Sequence, residues 1–157
     1  MLGIARRHQA KLVVKGKSMV SEEIEFNHAM EAAGVGALES DMGEYIVQLA
    51  GEKPSHIIMP AIHKTKEDVD ELIRIGRDAL RDRYQAADVG LSGVNFAVAE
   101  TGTLCLVENE GNGRMCTTVP KVHIAITGIE KVVEKLEHVA PLFSILTRSA
   151  TGQAVST

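Results

Sequence analysis

Ala99-Glu100-Thr101-Gly102-Thr103-Leu104-Cys105-Leu106-Val107-Glu108-Asn109-Glu110-Gly111-Asn112-Gly113-Arg114-Met115-Cys116-Thr117-Thr118-Val119-Pro120 is the stretch on which the reading of the chain turns. A tight polar turn, Glu100–Thr103, opens it. A continuous apolar run comes next, Leu104 to Val107, then a loop of Asn, Glu and Gly, then a second short run ending at Pro120. Two runs about a Gly/Asn-rich loop read as a β-hairpin with a long turn. Gly111 and Gly113 take positive φ at little cost, and Asn109 and Asn112 tolerate it. The first run is apolar on both faces, which predicts a buried strand. Thr101, Gly102 and Thr103 gather backbone N–H groups and two hydroxyls, which suits either an anion-binding nest or an ordinary strand entry.

Upstream of this stretch, Ala86 to Ala99 is mostly small and apolar, with Asp88, Ser92 and Asn95 roughly on one side. It reads as a buried helix interrupted by Gly90 and Gly93. Lys11–Lys15 and Val35–Glu39 read as short strands. Between them Ser21 is an N-cap for a helix that runs to Ala33 and stops at Gly34. Gly43–Ala50 reads as a short helix and Ser55–Pro60 as a strand ended by its proline. Thr65 with Asp68 resembles a capping box for a charged surface helix. His123–Gly128 reads as a further strand, Glu130–Leu136 and Pro141–Arg148 as helices, and residues 151–157 as a frayed tail.

Strands alternating with helices predict an α/β domain: a three-layer, open, largely parallel sheet with an added β-hairpin. The 157 residues suit one domain with its core over about residues 11–150. Apolar residues make up 45% and aromatics 3%, with no Trp, so the core is aliphatic and platforms for stacking bases are scarce. The net charge of −4 gives no general attraction for nucleic acid. Arg6, Arg7, Lys11, Lys15 and Lys17 all precede the first acid, Glu22, a basic start that reads as a solvated face or a site for a small anion. No run of about 20 apolar residues predicts a membrane span, and no apolar segment succeeds the early arginines as in a secretory leader. The expected location is the cytoplasm. Two cysteines, Cys105 and Cys116, are too few to hold a zinc or iron–sulfur centre by themselves, so no metal or cofactor is expected in this chain.

In an open α/β sheet, ligands sit beyond the carboxyl ends of the strands. That rule selects Lys15, Lys17 and Ser18 after the first strand, His63 and Lys64 after the third, the Glu100–Thr103 turn, and the loop from Asn109 to Arg114. Lys17, Lys64 and Arg114 suit a carboxylate or phosphate. Glu100, between a helix and a strand both expected to be buried, is the candidate general base, since burial there would raise its pKa. Its other reading is a bond to backbone N–H groups of its own turn. Asn95 needs hydrogen-bond partners on an apolar face, and His123, opening an apolar strand, reads as a satisfied core or edge residue. The candidate ligand-binding set is Lys15, Lys17, Ser18, Asn95, Glu100, Thr101, Gly102, Thr103, Asn109 and Arg114.

Four strings carry a resemblance: Val14–Glu23, Leu49–Ile58, Asn95–Thr103 and Val119–Lys131. Together they resemble the LUD domain of the lactate utilisation protein B family of iron–sulfur proteins, from about Lys11 to Gly152. The resemblance implies a fold similar to the phosphosugar-isomerase and CoA-transferase group. It implies a cytoplasmic bacterial protein working with two companion subunits in electron transport from L-lactate, which becomes pyruvate. Members of the family carry [4Fe–4S] clusters in a C-terminal ferredoxin-like part, so this chain resembles a LUD domain truncated before it. The expected role is an organic-acid-binding or subunit-assembly module, compatible with a homo-oligomer. The alternative is a free-standing isomerase, transferase or ligase acting on a phosphorylated or CoA-linked small molecule.

Overall fold

The structure, a computed structural model, describes residues 1–41, 74, 77–78, 80–108 and 111–152. The expected helix at 43–50, the strand at 55–60, the Thr65 cap and the residues His63, Lys64 and Asn109 lie outside the described residues. So do 153–157 of the expected tail. The chain forms two compact units, Met1–Gly93 with Glu108–Ile126, and Val94–Val107 with Thr127–Thr157.

The first unit opens with α1 (Leu2–Arg7), β1 (Leu12–Lys15), α2 (Met19–Glu23), α3 (Phe26–Ala32) and β2 (Gly36–Glu39). Helical residues 80–86, here α4, lead into β3 (Val89–Ser92). The unit closes with α5 (Asn112–Thr118) and β6 (Val122–Ala125). Its four described strands make one parallel sheet in the order β2-β1-β3-β6. The helix expected from Ser21 to Ala33 is two helices, because Glu25 takes φ 51° and breaks it; the cap of the first is Ser18, not Ser21. Gly34, at φ 77°, ends the second as expected.

Alternation along β1 builds the layers, since successive side chains leave a strand on opposite faces. Val13 joins Ala5 of α1, Phe26 and Met30 of α3, Ala37, Val89 and Leu91 in one core. Val14 joins Leu80 and Tyr84 of α4, Ala87 and Cys116 of α5 in the other. The sheet is thus sandwiched between helices, in keeping with the expected three layers. Gly90 fits the contact with α5: a Cβ there would overlap the carbonyl of Cys116. The expected buried helix over 86–99 is therefore corrected. Residues to 86 are helical, and the rest supplies β3 and β4 (Phe96–Val98). All four residues of β3 are buried, so the strand shows no polar alternation, and an apolar run of that kind does not distinguish strand from helix.

The second unit contains β4, β5 (Leu104–Cys105), β7 (Val132–Val133) and α6 (Val139–Thr151). Its sheet has the order β5-β4-β7, with β4 antiparallel to β5 and parallel to β7. The expected hairpin is displaced by one element. Its turn is Glu100–Thr103, and the second run of the opening stretch is helix α5, near whose start the Glu108 carboxylate accepts from Arg114 N–H at 2.7 Å. Leu104, Leu106 and Val107 are exposed rather than buried. The helix expected at 130–136 is a pair of 3₁₀ turns, Ile129–Lys131 and Leu136–His138, around β7. Phe96 packs edge-on against Phe143 of α6 with centroids 5.3 Å apart. Gly152, at φ 74°, caps α6, so residues 151 and 152 belong to a helix end and not to a tail.

Asp88 fixes where β3 starts relative to β1. One of its carboxylate oxygens accepts from Lys11 N–H at 2.7 Å and from Leu12 N–H at 3.2 Å. The first of these bonds chiefly holds its pKa below the ordinary carboxylate value. Ionised Asp88 therefore adds stability above that ordinary value, and the contribution is lost as pH falls through the depressed one. Asp88→Asn should melt below the wild type at neutral pH, with the gap narrowing as pH drops below about 4. Melting curves of both proteins across pH measure this.

Candidate functional site

The order β2-β1-β3 of the described strands contains a reversal: β2 lies on one side of β1 and β3 on the other. Open α/β sheets place ligands beyond the carboxyl ends of the strands at such a reversal. Here those ends are Lys15, Glu39 and Ser92, succeeded by Gly16-Lys17-Ser18, Ser40 and Gly93.

On the α3 face, Lys15 and Glu39 are direct register partners in neighbouring strands. Lys15 Nζ donates to Glu39 Oε1 at 2.7 Å and to Oε2 at 3.0 Å, and Asn27 Nδ2 of α3 donates to Oε1 at 2.6 Å. The lysine is 1% exposed and the glutamate 7%. Such a pair repays its desolvation only through close geometry and further hydrogen bonds, and both are present. Lys15 is therefore not the solvated basic residue of the sequence reading. Its charge is matched within the fold.

On the α5 face, Ser40 Oγ lies 3.3 Å from Cys116 Sγ. Burial pushes the Cys116 thiol up to about 11, so it stays protonated at neutral pH. Burial also raises the Tyr84 phenol, whose OH donates to the Asn112 carbonyl at 3.2 Å. Small residues let backbones meet here. A Cβ on Gly93 would sit 3.3 Å from Ser18 Oγ, and one on Gly16 would sit 3.8 Å from Gly113 Cα. The segments after β1 and β3 and the start of α5 thus converge. Ser18 is buried and caps α2, accepting from Ser21 N–H at 3.3 Å. Lys17 and Arg114 are exposed.

The remaining candidates lie in the second unit. Glu100 is exposed, against the burial expected, and it accepts from Leu136 N–H at 3.2 Å rather than from its own turn. Thr101 Oγ1 donates to Thr103 Oγ1 at 2.7 Å and accepts from Thr103 N–H at 3.3 Å, and Gly102 N–H donates to the Val98 carbonyl at 2.8 Å. These donors close the turn itself, which matches the strand-entry reading of Thr101–Thr103 rather than the nest. Asn95 Oδ1 accepts from Val107 N–H at 2.7 Å. Lys15, Lys17, Ser18 and Arg114 thus belong to one unit, and Asn95 and Glu100–Thr103 to the other. Sequence reasoning missed Glu39, Asn27, Ser40 and Cys116. The available signal was an acid and a base closing two neighbouring apolar strands.

A [4Fe–4S] cluster takes four thiolates, and the chain has two cysteines. Cys116 is buried in the first unit, and Cys105 belongs to the second. These residues do not fit a cluster. Among the described residues, no helix is long and apolar enough to cross a membrane.

The sequence matches the family described as LUD domain over residues 4–157. "Uncharacterized electron transport protein YkgF" of Escherichia coli (strain K12) is 45% identical over 168 aligned residues, covering 97% of this chain and 35% of that protein. "Lactate utilization protein B" of Bacillus thuringiensis (strain Al Hakam) is 44% identical, covering 98% of this chain and 36% of its own length. "Lactate utilization protein B 2" of Bacillus mycoides (strain KBAB4) matches to the same extent. The chain spans about a third of the length of these relatives. No solved structure matches.

Removing one member of the Lys15–Glu39 pair leaves a buried charge unmatched. Lys15→Met should cost about 3–5 kcal/mol, and the double variant Lys15→Met/Glu39→Leu should recover most of it. Urea unfolding of the two variants and the wild type measures both effects.

Proposed function

Because the chain belongs to the LUD domain family, we propose that it is the organic-acid-binding module of a lactate-oxidising iron–sulfur assembly, with the redox clusters outside these residues. The names of the relatives, lactate utilization and electron transport, support the setting. The observation that carries the binding role is the convergence beyond β1 and β3. There Lys17 is exposed next to the buried Ser18, and Gly16, Gly93 and Gly113 keep the surroundings open to backbone contact. Lys17, exposed just beyond the end of β1, is the cation assigned to a ligand carboxylate. Lys15 sets the position of the segment that bears Lys17. The module works in the cytoplasm, with companion subunits as its partners.

A second reading, subunit assembly, is favoured by the second unit. Ala97 pairs with both Leu104 and Val132, which makes a row across all three strands of its sheet. Leu104 is 50% exposed and Val132 43%. An exposed apolar sheet face is characteristic of an interaction surface.

Thermal unfolding against L-lactate, pyruvate, phosphate, ribose phosphate and CoA separates these readings. A ligand at 100 times its Kd stabilises by about 2.7 kcal/mol, a Tm rise on the order of 5–10 °C for a domain near this size. The binding role predicts that rise with lactate or pyruvate and its loss in Lys17→Ala. A rise with CoA or a sugar phosphate instead supports an enzyme of the transferase or isomerase type. No rise with any of them leaves assembly as the function.

A further inference from the structure

Ser92 ends β3, a central strand of the parallel sheet, and is 3% exposed. Its hydroxyl oxygen lies 2.8 Å from His123 Nε2 on the neighbouring strand β6, the last of the described strands on that side. The register pairs His123 with Gly90, two residues before Ser92, so imidazole and hydroxyl leave the sheet on the same face. His123 is exposed, which opens the pair to approach from the side of β6. Partial burial holds its pKa below the ordinary value, so the ring is neutral at pH 7 and offers one nitrogen as an acceptor. The backbone N–H group of Gly93, directly after Ser92, takes no acceptor among the described residues. An amide immediately after a nucleophile is a recurring donor to the oxyanion of acyl transfer.

We propose that Ser92 and His123 form a nucleophile–base pair that takes an acyl group from an activated carboxylic ester. Ser92 Oγ bonds to the acyl carbon as its proton passes to His123 Nε2. The bond from that carbon to the leaving oxygen breaks, and the leaving alkoxide receives the proton from His123. Water then attacks the acyl-serine by the same route in reverse, with His123 as base, releasing the carboxylic acid and restoring Ser92. This chemistry adjoins the Lys17 site at Gly93 but does not use Lys17, so loss of labelling and loss of lactate binding are read separately. A hydroxyl and an imidazole in contact across two strands also suit a purely structural bond, and labelling of two variants separates the roles.

The probe is a fluorophosphonate, in which the serine oxygen displaces fluoride at phosphorus. The expected result is one adduct by intact mass, mapped to the peptide that contains Ser92. Ser92→Ala should abolish it. His123→Gln retains a hydrogen-bonding amide yet takes up no proton. It should keep the wild-type melting temperature while labelling falls by about a hundredfold or more, as expected for loss of a general base. Ser144→Ala, at an exposed position of α6, should label as the wild type does. No adduct under conditions that label a known serine hydrolase overturns the proposal. So does an adduct elsewhere in the chain, or a His123→Gln rate equal to that of the wild type.

Discussion

The ion pair between Lys15 and Glu39 sets the terms for the rest of the first unit. Two opposite charges stand nearly out of water at the carboxyl ends of adjacent parallel strands, 2.7 Å apart. Either charge alone is costly there, because removing one partner of a buried pair costs about 3–5 kcal/mol, a large share of a domain's net stability. The pair therefore specifies that β1 and β2 are neighbours and that their ends are level. A slip of one residue would turn Lys15 to the opposite face of the sheet, among Leu80, Tyr84 and Cys116. Asn27 adds a third element to the arrangement, since its amide joins α3 to the same carboxylate.

The segments just beyond each member of the pair inherit a fixed position. Gly16 N–H donates to the Leu91 carbonyl at 2.9 Å and Ser40 N–H to the Lys15 carbonyl at 2.9 Å, so the exits of three strands are tied together. Gly90 adds the other constraint. With no side chain at that point, α5 rests directly on β3, which brings Cys116 to Ser40 and Gly113 to Gly16. A charge pair beneath the sheet and a missing Cβ above it jointly build the end at which ligands bind in folds of this class.

Parts of this were legible in the sequence. β1, β2 and β6 stand out because each is a short apolar run bounded by Gly or Lys, and the three-layer α/β architecture comes from their alternation with helices. β3 was not legible as a strand. It is buried on both faces, and its Gly90 and Gly93 read as weak points of a helix when they are close contacts between backbones. The hairpin around Glu100–Thr103 was misplaced because Leu104–Val107, apolar throughout, suggests burial, whereas most of that run is exposed. In the site, Lys15, Lys17 and Ser18 were found by the rule about strand ends. Glu39, Asn27 and Cys116 were not, because their roles come from partners 12 to 76 residues away in sequence. Ser92 is noted in the sequence only as a polar residue of the expected helix, for the same reason. Its partner His123 lies 31 residues further along. The family was legible from long ordered strings, and the comparisons place the chain in it.

Binding where the exits of β1 and β3 converge is the central claim. The direct measurement is a titration of the ¹⁵N-labelled chain with sodium L-lactate, tracked by amide chemical shifts, with sodium chloride as the control for ionic strength. Binding at the convergence predicts saturable shifts confined to Gly16–Ser18, Ser40, Ser92–Gly93 and Gly113. Saturable shifts confined to Glu100–Thr103 and its unit, or none beyond the salt control, would contradict it.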